Sequence, residues 1–263
     1  MPSYTSQPFR YLKSKVLRGG GAAVTSDTGG GGQWSPSSLG PSLRAWWSAD
    51  RFDLITLLGS QVTSWKDVVQ SYDMVQAISA SRPVYSQTSF NGAPGLSFDG
   101  TDDELTLASQ PFTVPCEVWV ICEQAEPAAN ASTKRVFSFG GTGNNNSIGL
   151  VRDVLASTNI GRVQVGTGAG SVQSPISTAA DFTGRCLQRA IVTTSNVQHG
   201  LNGMLGVAQA VVPSIGATRV RVGASVAGLG YWFGQVRDIL ITDILSPEQA
   251  VSFETWAMPR RML

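Results

Sequence analysis

The stretch GLSFDGTDDELTLA, residues 95–108, sets Asp99, Asp102, Asp103 and Glu104 within six positions, with Gly95 and Gly100 close by. Carboxylates this dense are the raw material of a calcium cage, of paired acid catalysis, or of a tight turn. An EF-hand loop needs a bidentate Glu at its twelfth position. Counting from Asp99, that position is Gln110, so the motif is absent. A looser calcium site built from Asp99, Asp102 and Asp103 stays open. Glycoside hydrolysis needs two carboxylates held about 5–10 Å apart across a cleft. The neighbours Asp102 and Asp103 would point to opposite faces of a strand, which makes them a poor pair. Asp-Gly is a strong hairpin signal, because glycine supplies positive φ without steric cost. The expectation is therefore a strand GLSF, a turn DGTDD and a returning strand ELTLA, with no metal and no other cofactor required.

Other residue types offer less. His199 is the single histidine, so histidine-rich metal sites are unavailable. A Ser-His-Asp triad would need partners that the sequence does not mark. CEVWVICE places Glu117 and Glu123 on one strand face with Trp119 and Ile121 between them, too far apart to flank one bond. The glycine stretches GGTGNNN and GTGAGS lack a P-loop lysine and read as hairpin loops. No catalytic constellation is visible, and the chain is expected not to be an enzyme. Asn144, Asn145 and Asn146 form a run whose amides suit sugar hydroxyls. Tyr231 and Trp232 are candidates for a ring that stacks on a sugar face.

Elements must position these groups, and composition limits what they are. The 263 residues are 42% apolar and 14% charged, with 29 glycines and a net charge of +1. That suits a turn-rich globular domain and gives no footprint for nucleic acid. No run of about 18 apolar residues marks a membrane span. Residues 1–33 carry Arg10, Lys13, Lys15 and Arg18 against Asp27, whereas the remainder holds 15 basic and 17 acidic side chains. The segment PFRYLKSKVLR interleaves those charges with Phe9, Tyr11, Leu12, Val16 and Leu17, and glycine runs follow it. Residues 1–33 are expected to be a docking arm and linker, and residues 34–263 a single domain. MPSYTSQPFRYLKSKVLRGGG lacks the apolar core of a secretory signal.

From Trp34 onward, short β-rich runs alternate with Gly, Asn, Asp, Ser and Pro clusters. In TRVRVGA, Arg219 and Arg221 should face water while Val220 and Val222 face inward. CEVWVICE is apolar on both faces, as a central strand should be. Cys116 and Cys122 lie roughly 20 Å apart along that strand, too far to bridge. Pairing of either with Cys186 is conceivable, but three buried free thiols are the expectation. One helix is convincing, LSPEQAVSFETWAM: Ser246 caps it, Pro247 opens it, Gln249 completes a capping box, and Ala250, Phe253 and Trp256 share a face.

The segment NGAPGLSFDGTDDELTLA resembles the NG-x-P-x-x-x-FDG-x-DD-x-L signature of laminin-G-type, concanavalin A-like lectin/glucanase domains. LRAWWSADRFD and VTSWKD resemble the opening strand pair of that family, QHGLNGMLGVA its Asn202-Gly203 hairpin, and GQVRDILITDILSPEQAVSFETW its closing strand and helix. The resemblance covers most of residues 43–256. It implies an all-β fold, a concanavalin A-like jelly-roll sandwich of two antiparallel sheets, here with an extended N-terminal arm and a short C-terminal helix. It implies that the FDG-x-DD element is mainly structural. Glucanases of this fold use an E-x-D-x-E or E-x-D-x-x-E strand motif, which the chain does not contain.

Similar domains occur in tailed-phage virion proteins as head fibres, decorations or tail appendages. The expectation is thus a virion surface protein assembled in the host cytoplasm. Phe9, Arg10, Tyr11, Leu12, Lys13, Lys15 and Arg18 would dock it on other virion proteins, capsid or tail subunits. Asn144, Asn145, Asn146 and Trp232 would bind host or environmental glycans. Displayed jelly rolls often form homo-oligomers; nucleic acid and membrane insertion are not expected. A free carbohydrate-binding lectin is the alternative, with a glucanase ranked behind it.

Overall fold

Alternating burial along short runs gives this chain its architecture. The computed structural model describes residues 34–70, 72–109, 112–127, 132–141, 143–155, 158–174, 184–216 and 219–262. The docking arm expected within residues 1–33 lies outside the described residues.

The first strands are β1 (Leu43–Ser48), β2 (Ile55–Leu58), β3 (Gln61–Lys66), β4 (Asp73–Val75), β5 (Val84–Phe90) and β6 (Ala93–Asp99). Next come β7 (Leu105–Leu107), β8 (Cys116–Gln124), β9 (Lys134–Gly140), β10 (Ser147–Leu155), β11 (Thr158–Gly166) and β12 (Ser171–Gln173). The chain continues through β13 (Gly184–Val192), β14 (Asn196–Leu201), β15 (Met204–Leu205), β16 (Gln209–Ala210), β17 (Arg219–Val222) and β18 (Phe233–Thr242), then α1 (Pro247–Met262).

Two antiparallel layers result. In the first, β1 and β6 lie end to end along one side of β18, with β8, β13 and β14 following on its other side. In the second, the order runs β2, β3, β4, β7, β17, β9, β10, β11, β12. A pairing of Gln61 with Val84 links them at a corner. The fold is an all-β, jelly-roll-type sandwich.

The layers face each other through one core. Trp47, Trp65, Val118, Phe137, Val220 and Val236 all belong to it. Val220 and Val222 are buried while Arg219 and Arg221 reach the outer face, as their alternation requires. β8 is apolar on both sides because each side has a cover. Cys116, Val118, Val120 and Cys122 enter the inter-sheet core, whereas Trp119 and Ile121 meet Phe253 and Ala250 of α1.

The helix begins as its sequence directs. The Ser246 amide donates to Gln249 Oε1 at 3.0 Å and the Gln249 amide to Ser246 Oγ at 3.3 Å, a capping box. It runs further than expected, through Pro259 to Met262. Arg260 explains the extension, since its guanidinium pairs with Asp238 at 2.9 Å and with Asp50 at 2.7 Å. A second anchor lies near the helix start. Glu117, fully buried, accepts two 3.0 Å bonds from Arg189 and one of 3.1 Å from the Leu245 amide. Arg189 also lies 4.3 Å over the Trp119 ring. Among the described residues no helix is long and apolar enough to cross a membrane.

The Asn202-Gly203 turn forms the expected hairpin between β14 and β15, both residues at positive φ. The Asp99-Gly100 turn does not. β6 pairs with β5 and β18, while β7 pairs with β4 and β17. The segment therefore carries the chain from one layer to the other, and the hairpin expectation is corrected.

Candidate functional site: a cleft beside the acidic turn

The acidic turn is built by its own carboxylates. Gly100 takes φ +79°, a conformation glycine adopts freely. Asp99 Oδ1 accepts the Thr101 amide at 2.8 Å, and Asp102 accepts the Ser81 hydroxyl at 3.0 Å. Asp103 reaches back to accept the Asp99 amide at 2.9 Å. Only 6% of Asp103 is exposed, and burial pushes its pKa up to about 7, with Asp99 and Asp102 adding to the rise. One carboxylate oxygen from each of Asp99, Asp102 and Asp103 lies within 4.8 Å of the others. The looser calcium arrangement left open by the sequence is thus brought together in space. Its members serve as acceptors that close the crossover, and the burial of Asp103 opposes a cage of three anions.

The asparagine run is a different kind of element. Asn144–Asn146 form one 3-10 turn whose carbonyls knot three loops. The Asn145 carbonyl accepts the Gly168 amide at 2.7 Å. That of Asn146 accepts Gly141 at 2.7 Å and Gly216 at 3.0 Å. Ser214 donates to the Asn146 side-chain oxygen at 3.2 Å. The Asn145 side chain is exposed and that of Asn146 half-buried, while the Asn144 side chain lies outside the described residues.

Trp232 is not available to a ligand. It is 0% exposed and belongs to the inter-sheet core, so its ring has no face to offer a sugar. That expectation is corrected, and strand parity supplies the reason. Val236 points inward, hence so do the positions of Gly234 and Trp232, while Phe233 and Gln235 point outward. Tyr231 is half-buried.

The outward residues of β18 line a cleft of about 190 Å³ with Ser97 of β6 and Glu123 and Ala125 at the end of β8. Phe233 is 39% exposed there. Backbone geometry fixes its place. Phe233 is the direct ladder partner of Asp99, and a Cβ on Gly100 would stand 2.8 Å from the Phe233 Cβ. Gly234 takes φ +146°, and a side chain on it would overlap the Glu123 carbonyl. The two glycines let the acidic turn, the ring and β8 approach one another. The cleft therefore offers an apolar ring edged by a carboxylate, an amide and a hydroxyl. Among the described residues that line it, Glu123 is the one charged side chain. The sequence reading missed this group, although the parity of β18 counted back from Val236 was signal enough to choose Phe233 over Trp232.

His199 is a core residue, fully buried, with its ring beside Gly161 and Gln188. Burial pushes its pKa down to about 3. Cys116, Cys122 and Cys186 are buried thiols.

No family model matches the chain, and no curated protein does. Solved structures do resemble it. Domain 4 of a GH43 extracellular arabinanase from Geobacillus stearothermophilus, in complex with arabinotriose, matches 81% of this chain and 98% of its own, at 14% identity and TM-score 0.59. Trypanosoma rangeli sialidase in complex with sialic acid matches at 13% identity and TM-score 0.51, over 82% of this chain. Tailspike protein 2 of Escherichia coli O157:H7 bacteriophage CAB120 matches 66% of this chain at 13% identity and TM-score 0.50. The chain spans 33% of the sialidase chain and 26% of the tailspike.

These matches correct the expectation that the chain is not an enzyme. A glycosidase and a domain of another share its sandwich, and the missing E-x-D-x-E motif excludes only the glucanase arrangement of carboxylates. At such identities the likeness establishes the architecture: this chain is similar to β-sandwich domains of an arabinanase, a sialidase and a phage tailspike.

Proposed function

We propose that the chain recognises glycans through the cleft beside Phe233. The observation that carries this reading is the exposed Phe233 ring with Glu123, Gln235 and Ser97 around it. A sugar presents an apolar C–H face and a rim of hydroxyls. A ring covers the first, while carboxylate, amide and hydroxyl groups bond the second. The resemblance to the arabinanase domain with bound arabinotriose supports it. With the carboxylate of Glu123 lining the cleft and that of exposed Asp99 opposite Phe233, an uncharged sugar is favoured over an anionic one such as sialic acid. Titration calorimetry with neutral arabino-oligosaccharides and hexose oligomers, alongside a sialylated set, tests the reading. Binding that F233A and E123Q weaken by tenfold or more supports it, and binding unaffected by both variants rejects it.

A finer reading places the domain on a phage particle as a lectin of the laminin-G type. The tailspike likeness and the apolar-basic segment around Phe9, Arg10, Tyr11, Leu12, Lys13, Lys15 and Arg18 favour it. In this reading residues 1–33 dock on capsid or tail subunits, and residues 34–263 are displayed as a homo-oligomer. Removal of residues 1–33 should abolish incorporation into particles while leaving glycan binding intact. Normal incorporation of the shortened chain would reject the docking role.

A further inference from the structure

Cys122 of β8 and Cys186 of β13 face one another directly in the antiparallel register, and their sulfurs stand 3.5 Å apart. Directly opposed residues of an antiparallel pair have Cα atoms about 4.5 or 5.5 Å apart, both inside the span of a disulfide. Both side chains enter the inter-sheet core, so their Cβ atoms stand on the same side of the layer. The remaining thiol does not compete, because Cys116 is opposed by Val192.

We propose that Cys122 and Cys186 are a disulfide modification site, closed by exchange with a small disulfide such as oxidised glutathione. One cysteine thiolate attacks a glutathione sulfur, giving a mixed disulfide and releasing one glutathione thiolate. The second cysteine thiolate then attacks the mixed disulfide, forming the Cys122–Cys186 bond and releasing the second glutathione. The chain gives up two electrons and two protons, and the glutathione disulfide is reduced to two thiols.

Timing follows from burial. Cys122 is 0% and Cys186 2% exposed, and burial holds the Cys186 thiol well above its ordinary pKa. In the closed sandwich neither sulfur is open to an oxidant, so the attack on glutathione belongs to the chain before the sandwich closes, and the second exchange follows as the β8–β13 register brings the two sulfurs together. The same burial protects either product afterwards. The redox state at folding is thereby recorded in the centre of the first layer, one residue before the cleft residue Glu123.

The experiment uses the full chain, unfolded in guanidinium chloride under reducing conditions and refolded with or without oxidised glutathione. The oxidised product is expected to weigh about 2 Da less, the mass of the two hydrogens lost. Its thiols counted in denaturant should fall from three to one, with a peptide joining Cys122 to Cys186. Its denaturation midpoint should rise and fall back with dithiothreitol. C116S should retain the bridge and show no free thiol, whereas C122S should not form it. Three free thiols after refolding in oxidised glutathione, a stable glutathione adduct on Cys122 or Cys186, or a bridge through Cys116 would each overturn the proposal.

Discussion

Phe233 stands opposite Asp99 in the β6–β18 ladder, with its Cβ over the bare Cα of Gly100. The aromatic wall of the cleft is therefore seated by the acidic turn. Gly100→Ala should disturb both, because the new Cβ meets Phe233 at 2.8 Å and Gly100 sits at positive φ. A loss of about 1–3 kcal/mol in denaturant unfolding is expected, together with weaker glycan binding. Phe233→Ala should lower affinity with little loss of stability, since the ring is 39% exposed. Calorimetry and unfolding curves on the two variants separate seating from contact.

Glu117 and Arg189 make the second test. The pair is buried beneath α1, and burial pushes the Glu117 pKa up while Arg189 opposes the rise. Arg189→Met would leave a carboxylate without its cation in the core, at a cost of about 3–5 kcal/mol. Glu117→Gln should cost less, since an amide oxygen still accepts the Leu245 amide. In the R189M background the Gln substitution should become nearly neutral or stabilising. Chemical denaturation of the four proteins reads the coupling, and simple additivity would show that the pair is not acting as a unit.

Much of this architecture is written locally. The alternation of Arg219, Val220, Arg221 and Val222 names inner and outer faces before any partner is known. The capping residues Ser246 and Gln249 likewise fix a helix start from four positions. What escaped was non-local. A turn with Asp99 and Gly100 looks the same whether its strands pair together or part to different layers, and here β18 and β17 claim them. The helix runs past its expected end for a similar reason, because the acids that hold Arg260, Asp50 and Asp238, lie far back in the chain. Phe233 is legible from strand parity alone: Val236 faces the core, so Trp232 faces inward and Phe233 outward.

The asparagine turn gives a third expectation. Gly166 packs so closely that a Cβ there would overlap the Asn145 carbonyl, and a Cβ on Gly140 would lie 2.5 Å from the Asn146 oxygen. Gly166→Ala should therefore lower stability by about 1–3 kcal/mol through steric displacement of the knot. Asn145→Ala changes an exposed side chain and should leave stability within about 0.5 kcal/mol. It should also leave glycan affinity unchanged if the Phe233 cleft is the contact. Loss of binding in N145A with full binding in F233A would move the site to the turn.

Asp103 and His199 predict a cancellation in the pH profile. Folded Asp103 has its pKa at about 7 against an ordinary 3.8, so between those values the folded chain holds a proton that the unfolded chain has lost. Stability from this residue falls as pH rises through that window, by up to about 1.4 kcal/mol per unit. Folded His199 has its pKa at about 3 against an ordinary 6.5, so the unfolded chain holds the extra proton. Stability from this residue rises with pH over nearly the same window. The two slopes oppose one another from about pH 4 to 6.5. Asp103→Asn keeps an acceptor for the Asp99 amide but removes one slope. Relative to the wild type, its stability should rise with pH in that window. His199→Gln removes the other, and its stability relative to the wild type should fall. Denaturant unfolding at half-unit steps from pH 4.5 to 8 measures both differences. Parallel profiles for all three proteins would mean that neither side chain is held away from its ordinary ionisation.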